Sequence, residues 1–189
     1  MVCVGVLALQ GDFSKHIEMM KSLDAQVKEV RSVKDLQGCQ GLIIPGGEST
    51  VMMKLIDEMG LRDALLEFAK NKPIFGTCAG LILMSKSVPN APFCPLQLMD
   101  LEIERNAYGR QIASFEAEIV IEFDNHQPIS FPAIFIRAPR IQNHGAFEVL
   151  GTYQDEPVLV RQDNFLGASF HPELTNNTAV HEYFLNMIR

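Results

Sequence analysis

Apolar residues in the first half of the chain fall into short unbroken runs. Each run is followed by a stretch whose apolar positions recur every three or four residues. Residues 2–9 form the first run, as expected of a strand covered on both faces of a parallel sheet. After Gln10-Gly11-Asp12 the pattern turns helical over residues 16–23, with Ile17, Met20 and Leu23 on one face. Residues 25–30 and 41–44 again read as strands. The second of these ends at Pro45-Gly46-Gly47, before a helix carrying Val51, Met52, Leu55 and Ile56. Gly60 breaks that helix, and residues 61–69 begin another. A further strand, residues 73–75, leads into Gly76-Thr77-Cys78-Ala79-Gly80 and the apolar run Leu81-Ile82-Leu83-Met84. Repeated strand–helix units predict a parallel sheet with helices on both faces.

The second half changes period. Residues 98–104, 115–123, 133–137, 147–153, 158–162 and 165–170 all read as strands joined by short turns, and a helix follows over 178–189. This part is expected to add antiparallel strands before the sheet is completed. With no internal repeat, low-complexity tract or linker, residues 1–189 are expected to form a single α/β domain. Its expected form is three-layered, with a mostly parallel central sheet, helices on both faces and added antiparallel strands.

Composition narrows the function classes. The 189 residues are 47% apolar and 21% charged, with a net charge of −7. Neither the acidic balance nor any Lys/Arg run suits nucleic-acid binding. The N-terminal run resembles a buried strand rather than a signal peptide, and no apolar stretch approaches the ~20 residues that span a bilayer. Cys3, Cys39, Cys78 and Cys94 lie far apart without a C-x-x-C pair. A disulfide framework or metal site is not expected, no cofactor is called for, and reduced thiols in the cytoplasm fit best.

The Gly76–Gly80 pentapeptide is the strongest chemical signal. It predicts a strand, a very tight turn and a helix, with Cys78 at the apex. A nucleophile at such an elbow needs small neighbours, which Gly76, Ala79 and Gly80 supply. The helix N-terminus that follows offers unpaired N–H groups and a positive dipole end, a setting that favours thiolates. The alternative is a buried cysteine in a Gly-rich turn.

A cysteine nucleophile needs a base, and the base an orienting group. Of His16, His126, His144, His171 and His181, only His171 has a ready partner, in Phe170-His171-Pro172-Glu173. In an extended backbone residues i and i+2 share a side, about 6.6 Å apart. Glu173 would then hold one imidazole nitrogen while the other faces Cys78, and Pro172 biases His171 away from helical geometry. An exposed strand-end turn is the alternative. In Pro45-Gly46-Gly47-Glu48-Ser49-Thr50, paired glycines let a backbone N–H approach a ligand. That N–H and the one of Ala79 suit an oxyanion. The same segment also reads as a turn before a helix capped by Ser49 or Thr50. Arg105, in the polar segment 104–111, and Arg137, in Ile136-Arg137-Ala138-Pro139, are candidate carboxylate ligands or surface residues.

Together these motifs resemble the class I, triad-type glutamine amidotransferases. More narrowly, Leu-Gln-Gly-Asp at 9–12, Arg-Asn-Ala-Tyr-Gly-Arg-Gln at 105–111 and Ile-Arg-Ala-Pro at 136–139 resemble the glutaminase subunits of pyridoxal 5′-phosphate synthases. The resemblance covers nearly the whole chain. It implies a flavodoxin-like fold and hydrolysis of L-glutamine to glutamate and ammonia. Cys78 would be the nucleophile, His171 the base and then the acid, and Glu173 the group that holds the imidazole. Gly47 and Ala79 would form the oxyanion hole, with Gly46, Gly47, Glu48, Arg105, Ile136 and Arg137 around the substrate. Arg105 is expected at the α-carboxylate and Glu48 near the α-amino group. The implied partner is a (β/α)-barrel synthase subunit that receives the ammonia. Docking would wake the glutaminase, since a Gly-Gly oxyanion loop can be switched by a peptide flip.

Three other readings stay open: a cysteine hydrolase of the DJ-1/PfpI type, a γ-glutamyl hydrolase acting on larger compounds, and a non-catalytic regulatory partner of a synthase. The Pro-rich segment 89–95 matches no family motif, and Leu96-Gln97-Leu98-Met99-Asp100 lacks a glycine common in relatives. Cys94 is expected to be structural. Met19, Met20, Met52 and Met53 are expected in the core rather than on a partner face or an ammonia path.

Overall fold

A computed structural model of the chain describes residues 2–105, 114–124, 127–142 and 145–189. The first half alternates as its apolar runs require: β1 (Cys3–Leu7), α1 (Phe13–Ser22), β2 (Gln26–Val30), β3 (Gly41–Ile44), α2 (Ser49–Glu58), α3 (Arg62–Ala69), β4 (Ile74–Thr77) and α4 (Ala79–Met84). The second half holds β5 (Ser85–Ser87), β6 (Met99–Glu104), β7 (Ser114–Ile121), β8 (Ile129–Ile136), β9 (Arg140–Gln142), β10 (Glu148–Tyr153), β11 (Glu156–Gln162) and β12 (Phe165–Ala168). Helix α5 (Ala179–Ile188) follows.

The main sheet runs β2-β1-β3-β4-β12-β11-β10-β7-β8. From β2 to β12 its neighbours are parallel. From β12 to β8 they are antiparallel. The parallel part has the flavodoxin-like order, in which the chain reverses direction across the sheet between β1 and β3. Strands β5, β6 and β9 form a separate small sheet.

Both faces of the parallel part of the main sheet are covered, which makes three layers there. Leu42, Ile44 and Ile74 point to a core built with Met52, Met53 and Ile56 of α2, Leu65 of α3 and Leu83 of α4. Val4, Val6, Ile43 and Phe75 point the other way, against Met20 of α1 and Val180 and Phe184 of α5. Met19, Met20, Met52 and Met53 are all buried, as expected.

Several boundaries differ from the sequence reading. The strand expected at 133–137 begins at Ile129 and carries Pro132 opposite Glu118. It lies at the edge of the sheet, where a residue without an N–H is tolerated. Strands β5 and β9 were not anticipated, because Ser85-Lys86-Ser87 and Arg140-Ile141-Gln142 are too short and polar to show a period. Cys94, expected to be structural, has an exposed thiol. Its segment is tied down through the backbone: Arg62 donates to the Cys94 carbonyl at 3.0 Å and to that of Pro95 at 3.4 Å. Among the described residues, no helix is long and apolar enough to cross a membrane.

Candidate active site

The parallel strands end at one edge, and the segments leaving β1, β3, β4 and β12 meet there. They deliver Asp12, the loop Gly47-Glu48-Ser49, Cys78 and His171 to a pocket of about 200 Å³. Ile136 and Arg137 enter from the end of β8, Arg105 from the end of β6 and Ile82 from α4. A crevice beyond the carboxyl ends of the strands, where the order reverses, is where open α/β sheets bind ligands.

Cys78 occupies a sharp elbow with φ 48° and ψ −102°, a region L-residues rarely adopt. Its N–H donates to Ala168 of β12 at 2.8 Å, and its carbonyl accepts from Ile82 at 3.1 Å. The turn closes because its neighbours are small: a Cβ on Gly80 would overlap the Ile44 carbonyl of β3. The Cys78 Sγ lies 3.8 Å from the Ile136 carbonyl oxygen, at the pocket wall.

His171 follows β12 and is fixed by its own N–H, which donates to Ile134 of β8 at 2.8 Å. Its Nδ1 lies 2.7 Å from Glu173 Oε1, and both side chains are buried. The pairing expected at i and i+2 is present, but not in an extended strand. Pro172–Leu174 is a 3₁₀ turn, and His171 precedes it at φ −108° and ψ 84°. The turn brings the carboxylate back under the ring. Burial opposes a charged imidazole here, but the Cys78 thiol and the Glu173 carboxylate outweigh it and push His171 up to about 10. Burial likewise disfavours the Glu173 anion. The charges and hydrogen bonding of His16 and His171 overcome that and hold it below the usual carboxylate value.

In the loop after β3, Glu48 and not Ser49 or Thr50 is the N-cap of α2. Its two oxygens accept from Thr50 N at 3.1 Å and Val51 N at 2.8 Å. Its own N–H donates to Gln10 Oε1 at 2.8 Å, which ties the loop to the one after β1. Burial works against the Glu48 anion, yet these backbone N–H bonds keep it below its ordinary value. Arg105 reaches across to the same corner, with Nη1 3.2 Å from Thr50 Oγ1 and 3.4 Å from Ser49 Oγ. Arg137 is exposed at the pocket mouth with a positive φ of 43°. Asn106, Ala107, Tyr108, Gly109, Arg110 and Gln111, together with His126 and His144, lie outside the described residues.

Cys78, Gly47, Glu48, Arg105, Ile136, Arg137 and His171 thus share one pocket. Gly46 lies just behind it against His171, and Ala79 opens the helix after the elbow. Sequence reasoning passed over Asp12, Ser49 and Ile82 as pocket walls, although Asp12 stood in a singled-out motif. It also missed two buried histidines behind Glu173. His16 Nδ1 lies 2.9 Å from His181 Nε2, and His16 Nε2 lies 3.2 Å from Thr77 Oγ1 and 3.5 Å from Glu173 Oε2. A histidine on an amphipathic helix carries no local sign of such a role.

A strained cysteine elbow beside a carboxylate-held histidine suits acyl transfer through a thioester. Comparison with known proteins gives the family. The model of the SNO glutamine amidotransferase family matches residues 6–189. A pyridoxal 5′-phosphate synthase subunit PdxT of Thermosipho africanus is 50% identical over 98% of both chains. One of Thermoplasma acidophilum is 48% identical over 98% of this chain and 93% of its own. A crystal structure of a glutamine amidotransferase superposes with a TM-score of 0.91 at 45% identity over 98% of both chains. PurLQS from Thermotoga maritima shares the fold at a TM-score of 0.76 and 15% identity. The chain belongs to the SNO glutamine amidotransferase family.

Proposed function

We propose that this glutamine amidotransferase, as one catalytic domain over residues 1–189, hydrolyses L-glutamine to L-glutamate and ammonia with Cys78, His171 and Glu173 as its triad. The observation that carries the reading is the convergence of the Cys78 elbow and the Glu173-bonded His171 on one pocket. Sγ of Cys78 attacks the side-chain amide carbon, and the thiol proton resides on His171. The tetrahedral oxyanion is held by the backbone N–H groups of Gly47 and Ala79. His171 then protonates the leaving nitrogen, the C–N bond breaks and ammonia departs, leaving a γ-glutamyl thioester. Water attacks the thioester with His171 as base, which releases glutamate and returns the proton to the Cys78–His171 pair. Glu173 keeps the ring oriented and its positive charge balanced throughout.

Substrate selection follows from the pocket walls. Arg105 offers a planar donor fork to the α-carboxylate, and Glu48 a negative charge to the α-amino group. Gly46, Gly47, Ile136 and Arg137 complete the binding site. The relatives carry the name of a synthase subunit, which supports a second chain, the pyridoxal 5′-phosphate synthase barrel subunit, as the recipient of ammonia. The Gly46-Gly47 loop, held from one side by Gln10, is the element that docking would set into its active form. Four free thiols suit a reducing, cytoplasmic setting.

The test is glutamate release from L-glutamine with and without the synthase subunit, for the native chain and Cys78→Ala. Release that rises with the subunit and vanishes in Cys78→Ala is expected. Release that persists in Cys78→Ala would overturn the assignment of the nucleophile.

A further inference from the structure

Behind the candidate triad lies a second, wholly buried polar cluster that the proposed reaction does not use. His16 of α1 and His181 of α5 are fully buried, and their rings meet at His16 Nδ1 and His181 Nε2, 2.9 Å apart. The other His16 nitrogen is hydrogen-bonded to Thr77 Oγ1 at 3.2 Å and lies 3.5 Å from Glu173 Oε2, an oxygen with no hydrogen bond among the described residues. Among the described residues, His181 Nδ1 is buried without a hydrogen-bond partner.

Two neutral arrangements are possible. If His16 carries its proton on Nδ1, it donates to His181 Nε2. His181 must then hold its own proton on Nδ1, a buried donor with no acceptor among the described residues, and a His16 lone pair, to which the Thr77 hydroxyl can donate, stands against the carboxylate. If His181 is protonated on Nε2, it donates to His16 Nδ1, and His16 points an N–H at Glu173. Only a lone pair on His181 then goes unused. A buried unpaired donor and a lone pair against an anion both carry a desolvation or repulsion penalty, so the second arrangement wins. Burial keeps both rings neutral: it lowers His16, and it pushes His181 down to about 3.

We infer that His16, with its tautomer set by His181, is a positioning residue. Its Nε2–H, hydrogen-bonded to Thr77 Oγ1, also lies 3.5 Å from the second oxygen of Glu173, so that the carboxylate has an imidazole on each side and its charge is steadied from both. The inference rests on the triad reading for its catalytic consequence, but the tautomer itself does not depend on it. The titratable groups facing the cluster are His171 on the same segment, Cys78 beyond it, His16 and Asp12 from the α1 side, and His181 from α5.

Ring ¹⁵N NMR of the native chain, with the histidines assigned by substitution, reads the tautomers directly. His16 and His181 are both expected as neutral Nε2–H forms from pH 6 to 8. An Nδ1–H form of either overturns the inference, whatever the glutaminase assay says. Activity in the complex with the synthase subunit supplies the consequence. His16→Leu is expected to lower kcat about 10- to 100-fold with KM for glutamine little changed, and to move the acid limb of kcat/KM to higher pH. His16→Gln, which keeps a donor, is expected to recover most of the loss. His181→Phe, which touches no triad atom, is expected to copy His16→Leu, and His181→Gln to resemble the native enzyme. Equal losses in His16→Leu and His16→Gln with an unmoved acid limb would reduce the pair to packing.

Discussion

Gly46 lies directly against the imidazole of His171. A Cβ built on Gly46 would overlap Cε1 of the ring and stand 3.1 Å from its Nδ1. The loop after β3 therefore has two tasks in the proposed reaction, supplying a backbone N–H to the oxyanion and forming the floor on which the proposed base, His171, rests. Gly46→Ala is expected to displace His171 and lower kcat about 100-fold or more, since ~1 Å misplacements have that effect. Steady-state glutaminase kinetics in the complex, with a circular dichroism check of folding, measure it. Native kcat in a folded Gly46→Ala would show that the contact is dispensable.

The His171–Glu173 pair predicts a pH dependence of stability with two opposite limbs. His171 titrates at about 10 in the fold against 6.5 as a free group. Its protonated form therefore adds stability that is complete below pH 6.5 and fades as pH climbs to 10. Glu173 is shifted down from 4.5, so its contribution is present above that value and fades as pH falls through the folded pKa. Denaturant titrations of the native chain and His171→Asn should show a stability gap that narrows between pH 6.5 and 10. The slope is limited to about 1.4 kcal/mol per pH unit for one proton.

Arg105 spans from the small sheet to the start of α2, where its Nη1 meets Thr50 and Ser49 hydroxyls. A lysine keeps the charge but not the fork. Arg105→Lys is expected to raise KM for glutamine about 10-fold or more with kcat close to native, the cost of one charge-assisted hydrogen bond. Initial-rate measurements over a wide glutamine range separate the two constants. A fall in kcat alone would move Arg105 from substrate binding to some other task.

Glu48 caps α2 with both carboxylate oxygens. Glu48→Ala is expected to cost about 1 kcal/mol of stability, lowering Tm by about 2–4 °C for a chain of this size. The same change is expected to raise KM, because the pocket loses one of its carboxylates and keeps only Asp12 among its described acidic walls. Calorimetry and kinetics on one sample would show whether the two losses come together.

The sequence displayed what local chemistry can display. Gly76, Ala79 and Gly80 announced a tight elbow because steric demand acts on adjacent residues. The apolar runs at β1, β3 and β4 announced burial on two faces. The His171–Glu173 contact was also foreseen, though through an extended strand, when a 3₁₀ turn brings it about. The local sign of the turn was Pro172 at its first position, where the fixed φ of proline suits helical geometry, but Pro172 had been read only for its effect on His171. His16 and His181 were invisible for a stronger reason: they stand 165 residues apart, and only the closing of α1 and α5 over one face of the sheet joins them. Strands β5 and β9 were missed because three-residue polar strands have no period to read.

Strand β12 comes last in sequence but lies mid-sheet, hydrogen-bonded to β4 on one side and β11 on the other. A growing polypeptide therefore exposes the open edges of β4 and β11 until its final quarter has been synthesised, and such edges invite pairing with other chains. The thiol proposed as nucleophile is made early, but Cys78 N donates to Ala168 of that late strand, and His171 follows three residues later. The keystone that closes the sheet also brings the proposed base to the proposed nucleophile, so a chain without β12 has open strand edges and no assembled candidate triad at the same moment.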